Sequence, residues 1–162
     1  MVNIKKLKKF WSSKKVFITG HTGFKGSWMI VALNMLNVNI YGYSLKPDKI
    51  SLFNQVNGKK IVKKNFFFDI NDFKKLSNKI SQVKPDILFH LAAQPLVSES
   101  FIKPTETFRT NIIGTLNVLE ILKKNKSIKS AVIITTDKVY KIKNLNKSYT
   151  ENDELWGKDP YS

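Results

Sequence analysis

Three glycines near the amino terminus are spaced so that they could hold a phosphate group. Gly20, Gly23 and Gly26 follow the apolar, β-branched segment 16–19 and precede apolar residues at helical spacing. In a strand–turn–helix unit, the first glycine permits a tight turn, the second lets backbone amides approach a pyrophosphate, and the third lets the helix lie close to the strand. An ordinary glycine-rich connection does not need this spacing. The pattern therefore predicts a dinucleotide-binding turn.

A second group of reactive side chains lies in the carboxyl-terminal part. Thr136, Asp137 and Lys138 follow the apolar segment 131–135, and Tyr161 comes later. A hydroxyl, a carboxylate, an ammonium and a phenol can together hydrogen-bond a substrate oxygen and exchange protons with it. An isolated Asp-Lys pair is more often a solvated ion pair at a strand end, and a lone tyrosine is usually a surface residue. The position at the end of a predicted strand favours the catalytic interpretation for Asp137 and Lys138.

The elements that must position these side chains alternate along the chain. Strand-like segments lie at 16–19, 39–44, 64–68, 87–91 and 131–135, and helical patterns follow Gly26 and occupy 71–84 and 105–124, with helical turns at 5–11 and 51–54. This alternation predicts an α/β fold, a Rossmann-type doubly wound parallel sheet with strand order 3-2-1-4-5. The ligand crevice is then expected at the carboxyl ends of strands 1 and 4.

Local signals predict how these elements begin, end and pack. Asn37 is suited to close the first long helix in a left-handed conformation, and Asn71 to cap the helix at 71–84. Residues 141–160 show no regular pattern and are predicted to form a polar loop. The helix at 105–124 carries an apolar stripe formed by Phe108, Ile112, Leu116, Leu119 and Leu122.

The composition indicates one globular domain without disulfides. The 162 residues are 42% hydrophobic and contain no cysteine, which fits a reducing cytoplasm. The net charge is +16, but Arg109 is the only arginine and the lysines are scattered, so a solvated basic surface is expected rather than a specific nucleic-acid site. No apolar run has the length of a membrane span, and no signal peptide is evident. His21 and His90 lack neighbours at metal-ligand spacing, so we expect no metal site.

Several motifs, in this order and spacing, resemble the extended short-chain dehydrogenase/reductases. They are Thr19-Gly20-His21-Thr22-Gly23-Phe24-Lys25-Gly26, His90-Leu91-Ala92-Ala93-Gln94-Pro95, Thr110-Asn111 with Gly114-Thr115, and Asp159-Pro160-Tyr161-Ser162, which resembles the start of the Tyr-x-x-x-Lys helix. Thr135-Thr136-Asp137-Lys138 resembles the catalytic strand end of the sugar-nucleotide 4,6-dehydratases. Finer features resemble their CDP-glucose branch: Phe10-Trp11, Gly26-Ser27-Trp28, Tyr41-Gly42-Tyr43-Ser44-Leu45 and Gln94-Pro95-Leu96-Val97.

This resemblance implies a reaction and a role for each catalytic residue. Bound NAD takes a hydride from sugar C4, water leaves across C5 and C6, and the hydride returns to C6. Tyr161 would accept the C4 hydroxyl proton, Thr136 would hydrogen-bond the C4 oxygen, and Asp137 would protonate the departing C6 hydroxyl. Lys138 stands where the dTDP-glucose relatives have a glutamate that takes the C5 proton, and its role stays open.

The resemblance also implies which residues hold the cofactor. Gly20, Thr22, Gly23, Phe24, Lys25 and Gly26 belong to the pyrophosphate turn, Ser44 ends the second strand, Asp69 and Ile70 match the adenine position, Leu91, Ala92 and Ala93 line the crevice, and Asn111 lies on the following helix. From the residues alone, Asp69 could equally cap a helix, and Asn111 could be a packing amide.

The sequence departs from the dinucleotide fingerprint at one position. An acidic residue is expected on the ribose about 20 residues after the glycines, and the chain has Ser44-Leu45-Lys46 there. Lys46 could favour a 2′-phosphate, so the residues leave NADP open, whereas the resemblance implies NAD.

The resemblance further implies CDP-glucose as substrate, a homodimer or higher homo-oligomer, and a cytoplasmic enzyme. Residues 1–162 would be an incomplete NAD-binding domain, ending before the helix of the catalytic tyrosine and the substrate domain. We therefore expect no turnover from this chain alone. An epimerase or reductase of the same superfamily and a non-catalytic dinucleotide-binding module are the alternatives.

Overall fold

Five parallel strands form the centre of the protein in a computed structural model that describes residues 3–142 and 148–162. The strands are β1 (Lys15–Thr19), β2 (Asn39–Ser44), β3 (Lys64–Phe67), β4 (Ile87–His90) and β5 (Ser130–Ile133). Their order is β3-β2-β1-β4-β5, and every pairing is parallel. The predicted doubly wound α/β fold and its strand order are confirmed.

Helices lie on both faces of this sheet. They are α1 (Ile4–Trp11), α2 (Phe24–Met35), α3 (Leu52–Gln55), α4 (Gly58–Ile61), α5 (Phe73–Val83), α6 (Val97–Ile102), α7 (Pro104–Phe108) and α8 (Gly114–Lys124). A π-helical turn, Arg109–Ile113, joins α7 to α8. The helix predicted at 105–124 is therefore interrupted by a π turn, and the sequence analysis did not anticipate α4 or α6.

Two local signals had different outcomes. Asn37 has φ of 58° directly after α2, which confirms the predicted left-handed end. The cap of α5 was assigned to the wrong residue, because the Asp72 side chain, and not Asn71, accepts the hydrogen bond from the Lys75 amide at 3.0 Å. Both residue types can cap a helix, so the sequence could not separate two neighbours.

The core consists of two layers separated by the sheet. Phe17 and Leu88 point into the layer covered by α5 and α8, whereas Val16 and Ile18 point into the layer covered by α2, α3 and α4. Val16, Phe17 and Ile18 are fully buried. A strand buried on both faces is typical of a parallel sheet covered by helices, and it fixes the position of the turn that follows β1.

Most of the predicted apolar stripe does not pack on the sheet, whereas Leu122, its last member, packs against the core. Phe108, Ile112, Leu116 and Leu119 are about half exposed, while Val118 and Ile121 form the buried face of α8. Gly114 explains this register, because a Cβ at that position would lie 2.7 Å from Cγ2 of Ile70. The helix therefore approaches the sheet along its glycine side.

The described part of the segment after β5 contains a short antiparallel pairing. Tyr140 and Leu155 form an antiparallel bridge, and the Lys141 amide donates to the Glu154 carbonyl at 2.8 Å. The loop predicted at 141–160 includes residues 143–147, which lie outside the described part of the chain. Across residues 3–142 and 148–162, no helix is both long and apolar enough to cross a bilayer.

Candidate functional site

The turn between β1 and α2 is built by its glycines. Gly20 has φ of +72°, and a Cβ there would lie 2.6 Å from the Ala92 amide nitrogen. A Cβ on Gly26 would overlap the Gly20 carbonyl oxygen, so α2 lies directly on the turn. Gly23 differs, because a Cβ there would make only an ordinary 3.4 Å contact with that oxygen. The fold requires glycine at positions 20 and 26, whereas position 23 leaves its backbone open to the cleft.

The amino terminus of α2 faces this cleft. Gly23 is its cap residue and supplies no side-chain hydrogen bond to the first turn. The first amides of a helix lack intrahelical acceptors and carry the positive end of the helix dipole, which suits a phosphate oxygen. The Lys25 side chain adds a positive charge beside these amides. The turn therefore has free amides and a positive side chain, which are the features that an anion-binding turn requires.

A cleft of about 450 Å³ runs from this turn along the carboxyl ends of the strands. It brings together all the predicted cofactor residues except Asn111, and its lining comprises Gly20, Thr22, Gly23, Phe24, Lys25, Gly26, Tyr43, Ser44, Leu45, Phe68, Asp69, Ile70, Leu91, Ala92, Ala93, Pro95, Thr110, Ile134, Thr135 and Tyr161. The small side chains of Ala92 and Ala93 leave room for a ligand close to the backbone. The cleft is mostly apolar, with the amides that begin α2 and the Lys25 side chain on its wall.

The far end of the cleft is held by partly buried hydrogen bonds that the sequence analysis did not identify. The Tyr43 hydroxyl donates to the Asp69 carbonyl at 3.0 Å, and the side-chain nitrogen of Asn117 donates to the Ile70 carbonyl at 3.2 Å. Burial, followed by the nearby Asp72 and Asp69 charges, raises the pKa of the Tyr43 phenol, so it remains a donor. Asp69 does not cap a helix; its carboxylate accepts from the Asn71 amide at 2.8 Å. These contacts fix the 69–71 turn against α8.

Ser44 and Thr22 meet where β2 ends beside the glycine turn. Their hydroxyl oxygens lie 2.6 Å apart, and the Thr22 hydroxyl donates to the Leu45 carbonyl at 3.1 Å. Both residues and Leu45 line the cleft. A pair of neutral hydroxyls therefore occupies the place where the dinucleotide fingerprint expects a carboxylate.

His90 connects the two central strands to α8. Its Nδ1 lies 2.6 Å from the Thr19 hydroxyl, and its Nε2 lies 3.0 Å from the Thr115 hydroxyl. Thr115 donates its own proton to the Asn111 carbonyl, so His90 Nε2 must carry a proton and donate to Thr115. Burial lowers the pKa of His90 to about 4. His90 is thus a neutral buried residue whose two ring nitrogens both have hydrogen-bond partners.

His21 has a similar structural role under the glycine turn. Its ring is fully buried, its Nε2 lies 2.9 Å from the Asn65 side-chain oxygen, and it stacks on Phe67. A Cβ on Gly42 would overlap this ring. Burial lowers the pKa of His21 to about 4, which keeps the ring neutral. Among the described residues, no group of three or more His, Cys, Asp or Glu side chains could hold a metal ion.

The residues predicted to be catalytic meet in a second recess of about 430 Å³. Thr136, Asp137, Lys138 and Tyr161 line it together with Lys25, Pro95, Val97 and Thr135. Four of these residues, Lys25, Pro95, Thr135 and Tyr161, also line the first cleft. The two recesses therefore adjoin, and we call this second recess the catalytic corner.

Short-range hydrogen bonds shape the catalytic corner. The Thr136 hydroxyl accepts from the Lys138 amide at 3.1 Å and starts a 3₁₀ turn, Asp137–Val139. The Asp159 carboxylate accepts from the amides of Tyr161 and Ser162, each at 2.9 Å. The bond from the Ser162 amide is the first cause that lowers the pKa of Asp159, and the Lys138 charge adds to it. Asp137 and Lys138 are exposed and, within the described residues, form no ion pair with each other.

Asn111 lies behind the cleft wall. In the π turn between α7 and α8, its side-chain oxygen accepts from the Gln94 amide at 2.8 Å and its side-chain nitrogen donates to the Gln94 carbonyl at 3.1 Å. Both polar ends of the amide are thus engaged with backbone. This arrangement matches the packing alternative, in which Asn111 shapes the wall at Gln94 and Pro95 without facing the cleft.

Comparison with known proteins finds dehydratase and epimerase relatives. Residues 17–162 match the sequence profile of the GDP-mannose 4,6 dehydratase family. The CDP-glucose 4,6-dehydratase of Salmonella typhimurium is 46% identical over 156 residues, which cover 96% of this chain and 43% of that protein. The dTDP-D-glucose 4,6-dehydratase of Dictyostelium discoideum is 32% identical over 92% of this chain and 37% of its own length. This chain therefore spans less than half of these relatives.

Solved structures share the fold. The UDP-glucose 4-epimerase of Thermotoga maritima, determined with UDP-glucose, has a TM-score of 0.77 and 26% identity, covering 91% of this chain and 46% of the epimerase. The UDP-glucose 4-epimerase of Brucella ovis, determined in complex with NAD, has a TM-score of 0.76 and 20% identity, covering 92% of this chain and 43% of the epimerase.

Proposed function

The chain belongs to the GDP-mannose 4,6 dehydratase family, and we propose that it forms the NAD-binding part of a nucleotide-sugar 4,6-dehydratase that acts on CDP-glucose. The observation that carries the proposal is the adjacency of the glycine-turn cleft and the catalytic corner, which share Lys25, Thr135 and Tyr161. A dinucleotide with its diphosphate on the turn would extend one end to Asp69 and Ile70. Its other end would reach Thr136, Asp137 and Tyr161.

The chain's own residues fit NAD. Gly23 leaves the backbone open at the diphosphate position, and the amides that begin α2, with Lys25, would hold two phosphate charges. Asp69 and Ile70, fixed by Tyr43 and Asn117, would support the adenine. When bound, NAD would accept the hydride from sugar C4 and return it to C6.

Three residues of the catalytic corner would each move or hold a proton. Tyr161 would take the proton of the C4 hydroxyl as that carbon becomes a ketone, and Thr136 would hydrogen-bond the same oxygen. Asp137 would give its proton to the C6 hydroxyl, which leaves as water when the C5 proton is removed. Lys138 lines the same recess. Whether it takes part in removing the C5 proton is the question that the variants below answer.

A chimera tests this proposal. The chain would replace the matching segment of the Salmonella typhimurium CDP-glucose 4,6-dehydratase, to which it is 46% identical. We expect the chimera to convert CDP-glucose into a product lighter by one water, detected by mass spectrometry. A folded chimera that binds NAD and leaves CDP-glucose unchanged would contradict the proposal.

Variants of the chimera assign the roles. Tyr161→Phe and Asp137→Asn are expected to lower kcat by at least about a hundredfold, because each removes a proton transfer. Lys138→Gln tests whether Lys138 contributes to the reaction. Its matched control is Lys158→Gln, because Lys158 is an exposed lysine outside the recess. Equal effects of the two lysine variants would remove Lys138 from the mechanism.

The alternative reaction is epimerisation at C4. It is kept because the UDP-glucose 4-epimerase of Mycoplasma pneumoniae is 31% identical over 70% of this chain. An epimerase expels no water, so it does not need the acid that Asp137 supplies. A product of unchanged mass, formed equally well by the Asp137→Asn chimera, would support epimerisation instead.

A further inference from the structure

We infer that the cleft accepts an adenosine 2′-phosphate nearly as well as a free 2′-hydroxyl, so that this chain binds NADP and NAD with similar affinity and Ser44 is the residue that permits it. The inference depends on the proposed binding of a pyridine dinucleotide. It concerns the end of β2, whose residues the proposed reaction does not use.

The end of β2 provides hydroxyls where a selective NAD site has a carboxylate. A carboxylate at this position accepts hydrogen bonds from the ribose hydroxyls and repels a 2′-phosphate. Here the strand ends at Ser44, and the next carboxylate along the chain is Asp48. Asp48 is exposed and does not line the cleft.

The two hydroxyls can serve either ligand. As the structure stands, Thr22 donates to the Leu45 carbonyl, so the Ser44 proton points to Thr22 and the Ser44 lone pairs remain available to a ribose hydroxyl. If Thr22 turns its proton toward Ser44, the Ser44 hydroxyl is free to donate to a phosphate oxygen. A hydroxyl is both donor and acceptor, whereas an ionised carboxylate only accepts.

The charges around this point favour an additional phosphate. Asp69 is the one carboxylate that lines the cleft within the described residues, and its Oδ1 is bound by the backbone and side-chain nitrogens of Asn71 at 2.8 and 2.9 Å. Lys46 is exposed two residues after Ser44 and, like Asp48, lies outside the lining of the cleft, so it acts only through its charge; no acidic residue precedes Asp48 in the chain. The positive field of a chain with net charge +16 attracts a dianion.

Parallel calorimetric titrations of the chain with NAD and with NADP test the inference. We expect two saturable isotherms whose dissociation constants differ by less than about tenfold, a difference of 1.4 kcal/mol. Binding of NAD with an NADP constant more than about tenfold weaker would overturn the inference and leave the proposed function intact. Absence of binding by either dinucleotide would overturn both.

Charge variants locate the determinant. Ser44→Asp is expected to raise the ratio of the NADP to the NAD dissociation constant by at least about tenfold, and the neutral, similarly sized Ser44→Asn is its matched control. An unchanged ratio in Ser44→Asp would overturn the assignment of Ser44.

A second pair of variants leaves the strand end untouched. Lys46→Glu is expected to weaken NADP binding several-fold more than NAD binding, and Lys49→Glu, on the same exposed loop, is the control for net charge. An equal loss of NADP affinity from the two substitutions would show a general effect of net charge and would overturn the local role of Lys46.

Discussion

The cofactor side of the cleft and its catalytic corner are built on strands of very different burial. Val16, Phe17 and Ile18 of β1 are each 0% exposed, whereas Val132 of β5 is 40% exposed. The glycine turn follows the most buried strand, and Thr136, Asp137 and Lys138 follow the most exposed one. The position of the glycine turn is therefore fixed by the core, while the catalytic corner depends on local hydrogen bonds such as those of Thr136 and Asp159.

Two glycine substitutions give the largest contrast on the cofactor side. Gly20→Ala is expected to destabilise the fold by more than about 3 kcal/mol, because its φ is +72° and its Cβ would meet the backbone of Ala92. Gly23→Ala is expected to change the free energy of unfolding by less than about 0.5 kcal/mol and to weaken NAD binding at least about tenfold. Urea denaturation and calorimetry measure the two effects. Equal destabilisation by both substitutions would contradict the assignment of Gly23 to the ligand.

Large-to-small substitutions measure the difference between the strands directly. Substitution of the fully buried Leu88 of β4 by alanine is expected to cost about 3 kcal/mol, and Val132→Ala in β5 less than about 1 kcal/mol. Urea denaturation gives both values. A Val132→Ala loss as large as that of Leu88→Ala would show that β5 is buried in solution.

The two buried histidines make stability depend on pH. The pKa values of His21 and His90 are lowered from 6.5 to about 4, so both rings are neutral in the fold while the unfolded chain binds protons below pH 6.5. Their stabilisation is fully present above pH 6.5 and is lost as the pH falls toward 4. Each contributes at most on the order of 3 kcal/mol over this window.

Denaturation at pH 7, 5.5 and 4.5, as a rough series across this window, measures the loss. His90→Gln should reduce the dependence of stability on pH without abolishing it, because glutamine does not titrate whereas His21 still does. A free energy of unfolding that does not change with pH in the unsubstituted chain would mean that the two imidazole rings are accessible to solvent.

The smallest expected effect concerns Asp159. Asp159→Ala removes the acceptor of the Tyr161 and Ser162 amides, so these amides should exchange with solvent several-fold faster while the global melting temperature hardly changes. In the unsubstituted chain, the Tyr161 and Ser162 amides should stay protected from exchange at neutral pH. Because the pKa of Asp159 is lowered, this protection should disappear only in acid. Asp48→Ala is the control. Unchanged exchange of both amides would remove Asp159 from the organisation of the corner.

Local patterns predicted the elements better than their packing. The glycine spacing and the alternation of strands and helices were sufficient for the strand order and for a turn that opens into one cleft with Ser44, Asp69 and Ala92. The packing face of α8 was not predictable, because its exposed stripe and its buried face are both apolar. The choice depends on the contact between Gly114 and Ile70, which are distant in sequence.

Hydrogen bonds between distant segments were also missed. Tyr43, Asn117 and Thr115 carry no local signal of their partners, since each bonds a residue at least 25 positions away. The Asp72 cap and the π turn at Arg109–Ile113 differ from the predictions for a related reason. In both places the local sequence is compatible with more than one conformation, and contacts with the rest of the fold determine which one forms.

The central claim is that a dinucleotide places its diphosphate on the amides that begin α2. Amide NMR spectra of the chain, recorded during addition of NAD, test it most directly. The account predicts the largest shifts at Gly23, Phe24 and Lys25, with smaller shifts at Asp69 and Ile70. Saturating NAD that leaves the amides of Gly23 and Phe24 unshifted would contradict it.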